Sequence, residues 1–140
     1  MPSKEEKLRR TRERRLMDNY KLTLEDFEKI SKHQNYVCWG CGQPEPVKGR
    51  SLANDHCHET GLVRGHLCSR CNPVLGKLEN AIARYGLRAA GIRVEDWIAR
   101  MAVYMADPPA VKALGHKHFG YPGRVGTKKH RKMLKKLKKA

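Results

Sequence analysis

The chain has 140 residues, with 30 Lys and Arg against 14 Asp and Glu and a formal net charge of +16. That length suits one compact domain with extensions and excludes two ordinary cores, and no run of about 18 apolar residues offers a membrane span. So large a cationic surplus favours a polyanionic partner, and the little bulky apolar surface in the basic segments favours nucleic acid over an anionic membrane.

Residues 1–19 read as a basic arm or helix. Between Ser3 and Met17 stand seven basic and three acidic residues, and Glu5, Glu6 and Glu13 lie three or four positions from basic partners. A solvated helix and a phosphate-contacting segment that orders on DNA both fit. Firmer signals follow between Leu22 and Gln34. Thr23 is an N-cap, Glu25 and Asp26 put negative charge in the first turn, and Leu22 and Phe27 have the spacing of a hydrophobic staple. Leu24, Phe27 and Ile30 then line one face, expected to pack on the cysteine-rich segment that comes next.

That segment is the centre of the sequence. Cys38-Trp39-Gly40-Cys41 and Cys68-Ser69-Arg70-Cys71 are two CxxC pairs. Two residues between cysteines let a tight turn aim both sulfurs at one ion about 2.3 Å away, so all four are assigned to one structural Zn²⁺. Two disulfides, or a zinc shell completed by His56 or His58 with a spare cysteine, are the alternatives. Cys57 belongs to neither pair and reads as a small packed side chain. With 39% hydrophobic and 6% aromatic residues, the core is modest, and zinc is expected to be required for folding. The cysteine usage and an N-terminus unlike a leader point to a reducing cytoplasm. Trp39 could stack on a base or cover the metal, and half-exposed packing is preferred. Residues 43–49, with two prolines and a glycine, read as a loop.

Between the pairs, Ser51 to His58 and Leu62 to Leu67 read as two strands joined through Glu59-Thr60-Gly61. Strand alternation would put Asp55 and Cys57 on one face and His56 and His58 on the other. Asn72-Pro73 then opens a helix, with Asn as cap and Pro at its first position, ending near Gly86. A further amphipathic helix is expected from about Val94 to Ala106, carrying Trp97, Ile98, Met101, Ala102 and Met105, with Asp107-Pro108-Pro109 ending it. It packs back as core or meets a partner helix. After Asp107 no acidic residue remains, while Lys and Arg number eleven. Glycines and Pro122 make the first half of this tail irregular, and Lys128 to Ala140 has too few apolar residues to fold alone.

Residues 18–85 resemble the HNH, or His-Me finger, nucleases and specifically the phage recombination endonuclease VII family. The resemblance is carried by Y-K-L-T-L-E-D-F, C-W-G-C, N-D-H-C-H, T-G-L-V-R-G-H-L and C-S-R-C-N-P. It implies an α+β fold in which a zinc-stapled ββα finger is flanked by helices and basic termini. It further implies that His56 is the general base, that Asp55 and Asn72 hold a catalytic Mg²⁺ or Mn²⁺, and that His58 helps to position phosphate at the edge of the site. The zinc on Cys38, Cys41, Cys68 and Cys71 would stand away from the chemistry. Some relatives carry an acidic residue one helical turn after the asparagine, where this chain has Leu75. The residue types suit the reaction on their own account. Imidazole accepts a proton near neutral pH, and a hard cation that keeps several waters accepts a carboxylate and an amide oxygen.

The expected organisation is thus a basic segment over 1–19, the nuclease module over 20–86, a helix with a dimer contact over 87–107 and a basic tail over 108–140. The expected activity is metal-dependent cleavage of DNA, with branched substrates such as four-way junctions cut by a homodimer. A general phage nicking or double-strand endonuclease and a zinc protein that binds DNA without cutting it are the alternatives.

Overall fold

The computed structural model of the chain describes residues 1–120 and 123–139. Its elements run α1 (Lys4–Tyr20), α2 (Leu24–His33), β1 (Ala53–His56), β2 (Val63–Leu67), α3 (Cys71–Arg84), α4 (Val94–Ala106), α5 (Pro109–Leu114) and α6 (Lys128–Leu137), an α+β architecture. They divide into two units, Met1–Gly91 and Ile92–Ala140.

In the first unit α1 is a formed helix rather than a loose arm. Ser3 and Glu6 build a capping box at its start, and Lys21 turns left-handed at its end with φ 53°. Leu16 is buried, and the Arg12 guanidinium lies 4.7 Å from the centre of the Phe27 ring. Among so many charges, these two contacts decide which face of α1 turns inward. At α2 the expected Thr23 cap forms, completed by Asp26: Thr23 Oγ1 accepts the Asp26 N–H at 3.1 Å and Asp26 Oδ2 accepts the Thr23 N–H at 3.0 Å.

What joins α2 to the sheet is polar as much as apolar. Phe27 packs at a 32° tilt on the fully buried His66 with 4.2 Å between ring centres, and Ser31 Oγ lies 3.1 Å from His66 Nδ1. The buried Gln34 amide then behaves like a short extra strand. Its Oε1 accepts the His66 N–H at 2.8 Å, while its Nε2 donates to the carbonyls of His66 at 2.9 Å and Val37 at 3.1 Å. Gly65 is needed for this approach: its φ is 151°, and a Cβ there would stand 2.8 Å from Gln34 Oε1. Burial, with Arg12 nearby, holds the His66 pKa below the ordinary imidazole value.

The two strands pair antiparallel as Ala53 with Leu67, Asn54 with His66, Asp55 with Gly65 and His56 with Val63. The last step skips Arg64, so β2 bulges there. Both strands are shorter than expected. Cys57 and His58 have left the ladder for a turn closed by bonds of 2.8 Å from the Cys57 N–H to Leu62 O and from the Gly61 N–H to Cys57 O.

The start of α3 differs from the sequence expectation. Helix begins at Cys71 with Arg70 at the cap, and no side chain caps it. The second CxxC turn is itself the first helical turn: the Asn72 N–H reaches Cys68 O at 3.0 Å, and the Cys71 N–H points at Cys68 Sγ at 3.4 Å. Sulfur and turn have done the work expected of Asn72, which lies one residue inside the helix with its amide not spent on capping. The far end is as expected, with Gly86 at φ 79° just past Tyr85.

In the second unit α4 has the expected bounds, and none of its residues is buried. The tail is more helical than its composition promised. Thr127 Oγ1 accepts the His130 N–H at 3.1 Å to cap α6, and Met133 and Leu134 are half-buried while the lysines face outward. Pro122, expected to break the tail, and Ala140 lie outside the described residues. No helix among the described residues is long and apolar enough to cross a membrane.

Candidate active site and metal centre

The four cysteines of the CxxC pairs come together as the spacing predicts. Their sulfurs lie within 4.8 Å of one another, and Cys41 Sγ is 3.9 Å from Cys68 Sγ. A zinc tetrahedron with bonds of about 2.3 Å has sulfur edges of about 3.8 Å, so the four could hold a structural metal such as zinc with little movement. All five cysteines are free thiols, which sets the disulfide alternative aside. Burial pushes the Cys38 thiol up, but the N–H groups of Cys68, Cys41 and Gly40 aimed at its sulfur outweigh this and bring it down to about 6. The Cys71 thiol, hydrogen-bonded by Cys38 and Cys68, is pushed up to about 12. Gly40 permits the closeness: a Cβ there would sit 3.2 Å from Cys71 Sγ and 3.6 Å from Cys38 Sγ. Cys57 stands outside this cluster, and no histidine enters it.

A second cluster forms around Asp55 of β1. Asp55 is buried at 8% exposure, and Arg64 grips it bidentately, Nε to Oδ2 at 2.7 Å and an Nη to Oδ1 at 2.9 Å. The same guanidinium reaches Glu79 Oε1 of α3 at 2.6 Å and the His56 carbonyl at 3.4 Å. Two carboxylates thus share one guanidinium, which stays protonated the more firmly for their company. The bulge explains the geometry, because the extra residue in β2 turns Arg64 back across β1.

His56, next along β1, is half-buried. Tyr20 meets its ring edge-on at 5.3 Å between centres, and the His58 ring lies 4.9 Å away on the turn. Asn72 is half-buried in the first turn of α3, seven residues before Glu79. A separation of seven puts both on one helical stripe about 10 Å apart. Asp55, His56 and His58 lie on the hairpin and Asn72 and Glu79 on α3, and it is Glu79, one turn beyond Leu75, that bridges to the hairpin through Arg64.

Three participants went unseen in the sequence. Arg64 and Glu79 meet Asp55 only because a bulge and a helix stripe coincide, and Tyr20 reaches His56 only through the docking of α1. Trp39, expected to be half-exposed, is 70% exposed.

The recombination endonuclease VII family model matches residues 13–93, which include the whole hairpin, α3 and all four clustered cysteines. The gene 59 protein of Mycobacterium phage D29 is 32% identical over 106 residues, covering 75% of this chain and 56% of that protein. The gene 59 protein of Mycobacterium phage L5 is likewise 32% identical, over 105 residues and the same shares. The chain thus spans a little over half the length of the curated relatives it matches. With more than half of its residues inside the family model and its sulfur cluster at the centre of the match, the chain belongs to the recombination endonuclease VII family.

Proposed function

We propose that this chain is a metal-dependent DNA endonuclease of the HNH, or His-Me finger, kind that acts on branched DNA as a homodimer in the host cytoplasm. The observation that carries the reading is that His56 follows Asp55 in β1, its carbonyl 3.4 Å from the guanidinium that joins Asp55 to Glu79, on a hairpin tied to α3 through the cysteine cluster. The residues suit a hard divalent cation. Asp55 and Asn72 would hold it, with the Glu79 carboxylate close by, and the oxygen donors around Asp55 already attract a cation in the form of Arg64. When bound, Mg²⁺ or Mn²⁺ supplies stabilisation of the charge that develops on the phosphoryl and leaving oxygens.

The remaining work falls to side chains. His56 takes the proton of the attacking water on a ring nitrogen, and Tyr20 against its edge narrows the orientations open to the ring. His58, exposed beside it, steers the phosphate. Arg64 keeps two neighbouring carboxylates from repelling one another until the site is loaded. Homodimerisation through α4 is supported by the apolar residues that this helix leaves uncovered, Val103 and Met105 among them.

The test is cleavage of supercoiled plasmid and of a synthetic four-way junction with and without Mg²⁺. Junction cleavage that requires Mg²⁺ and outpaces plasmid nicking is the expected result. Equal cutting of both substrates removes the junction preference and leaves a general nicking enzyme. Binding of both substrates without any cutting leaves a zinc protein that only binds DNA.

Strand grip is assigned to the basic tail. Deleting residues 124–140 is expected to weaken DNA binding and to flatten its salt dependence while the cleavage step at saturating DNA stays within about twofold. If the tail makes about six phosphate contacts, the full chain loses roughly 10³ in affinity between 50 and 200 mM salt, and the shortened chain loses far less. A slope and affinity that survive the deletion would give the tail another purpose.

A further inference from the structure

A groove of about 400 Å³ runs beside the hairpin, lined by Lys29, Ile30 and His33 of α2, by Trp39, and by Val63 and Arg64 of β2. We infer that this groove takes one unpaired nucleobase of the substrate strand, stacked on Trp39. The inference rests on the proposed reading as a DNA nuclease and adds to it the feature of the substrate that is recognised.

Trp39 is a large apolar ring left 70% exposed, whereas tryptophans are on average among the most buried side chains. Nor is it loose. It follows Cys38 in the sulfur cluster, and its backbone N–H donates to the His66 carbonyl at 3.2 Å, which fastens this turn to β2. The His33 ring lies within 15° of parallel to it, with 6.2 Å between ring centres, so two aromatic faces are offered at one mouth. Holding an aromatic ring in place before a ligand arrives lowers the ordering cost of stacking on it.

The chemistry of the walls selects the occupant. Ile30 and Val63 contribute apolar lining, while Lys29, in an exposed ion pair with Glu25, and Arg64, held by Asp55 and Glu79, contribute basic lining. A flat ring carried on an anionic backbone fits both. Arg64 is also the residue that grips Asp55, so the groove adjoins the cluster assigned to the scissile phosphate. Bases inside a duplex are already stacked and paired, so only one freed at a branch, bulge or gap presents its face. Preference for branched DNA would then arise within one protomer, before any contribution from dimer geometry.

The test uses the full chain carrying His56→Ala, to prevent cutting, and Trp97→Phe, so that Trp39 is the one remaining indole of the two in the sequence. Its fluorescence is followed as a paired duplex, or the same duplex with a short unpaired bulge, is added without divalent cation. Bulged DNA is expected to quench Trp39, and paired DNA to leave it unchanged. Trp39→Ala should lower affinity for the bulged DNA by about 5- to 100-fold, the range of a lost base–aromatic stack, with little effect on paired DNA. Trp39→Phe should stay within about threefold of the parent, since it keeps an aromatic face. An unquenched indole at saturating bulged DNA, or an alanine variant that binds it as tightly as the parent, overturns the inference and leaves the nuclease reading standing. A chain that binds neither DNA overturns both. Melting temperatures of the two Trp39 variants close to the parent's would show that any lost affinity is not lost folding.

Discussion

Removing the bound metal with a chelator, or replacing Cys38 by Ser, is expected to unfold the segment from α2 to α3. Among the described residues the buried apolar side chains are few: Leu16, Phe27, Leu52 and Ile82, together with Cys38 and Cys68. Two of these six are thiols, and the cluster of Cys38, Leu52 and Cys68 is where buried groups touch. The middle of the finger is therefore a sulfur cluster that could hold a metal ion, with a little hydrocarbon around it. A structural zinc site is worth about 10–16 kcal/mol in apparent binding free energy, while whole domains are stable by about 5–15 kcal/mol. Loss of the ion should exceed what the remaining contacts hold. Circular dichroism and amide spectra after chelation under reducing conditions should show collapse of the hairpin signals, with recovery on adding Zn²⁺. Cys41→Ser should be milder than Cys38→Ser, because Cys41 is exposed and Cys38 is fully buried. A melting curve unchanged after complete metal removal would refute the idea.

The same dependence explains which parts of the structure were legible in the sequence. Local chemistry was readable: the Thr23 cap, the bounds of α4 and each CxxC turn follow from spacings within a few residues, and the repeated CxxC motif signals the meeting of the two turns across 27 residues. Misreadings arose where a tertiary contact took over a local task. Asn72 looked like a helix cap until the second CxxC turn proved to be the first turn of α3. Lys128 to Leu137 looked too polar to fold, yet Thr127 and a short apolar stripe suffice for a helix. Arg64 carried no signal of its own, because a bulge is a mismatch between two strands and cannot be seen in either one alone. Asp55 was singled out as a bare metal ligand. Its actual neighbourhood is a shared guanidinium, and the oxygen donors there depend on Glu79, which lies fifteen positions beyond Arg64.

Replacing His56 by Ala is expected to lower the rate of strand cleavage by about 10²–10⁴, the usual contribution of a positioned general base, while DNA affinity changes little. The two effects separate because the groups assigned to binding and to proton transfer lie on different parts of the chain. Electrostatic attraction comes from a surplus of +16, of which His56 is no part, and eleven of the basic residues follow Asp107. The imidazole instead stands between Tyr20 and His58 at the end of β1, where its loss removes a proton acceptor and leaves the Asp55–Arg64–Glu79 bonds in place. Asp55→Asn should behave differently. It keeps the shape but gives up half of a bidentate charged pair, leaving Arg64 with Glu79 alone, so it should cost stability as well as activity. Measured side by side, single-turnover cleavage, DNA affinity and melting temperature then distinguish two roles. A variant slow in cleavage but normal in the other two identifies the base, and a variant defective in cleavage and stability identifies the residue that organises the cation site. If His56→Ala cuts at the parent's rate, another group accepts the proton, and His58, 4.9 Å away between ring centres, is the next to replace.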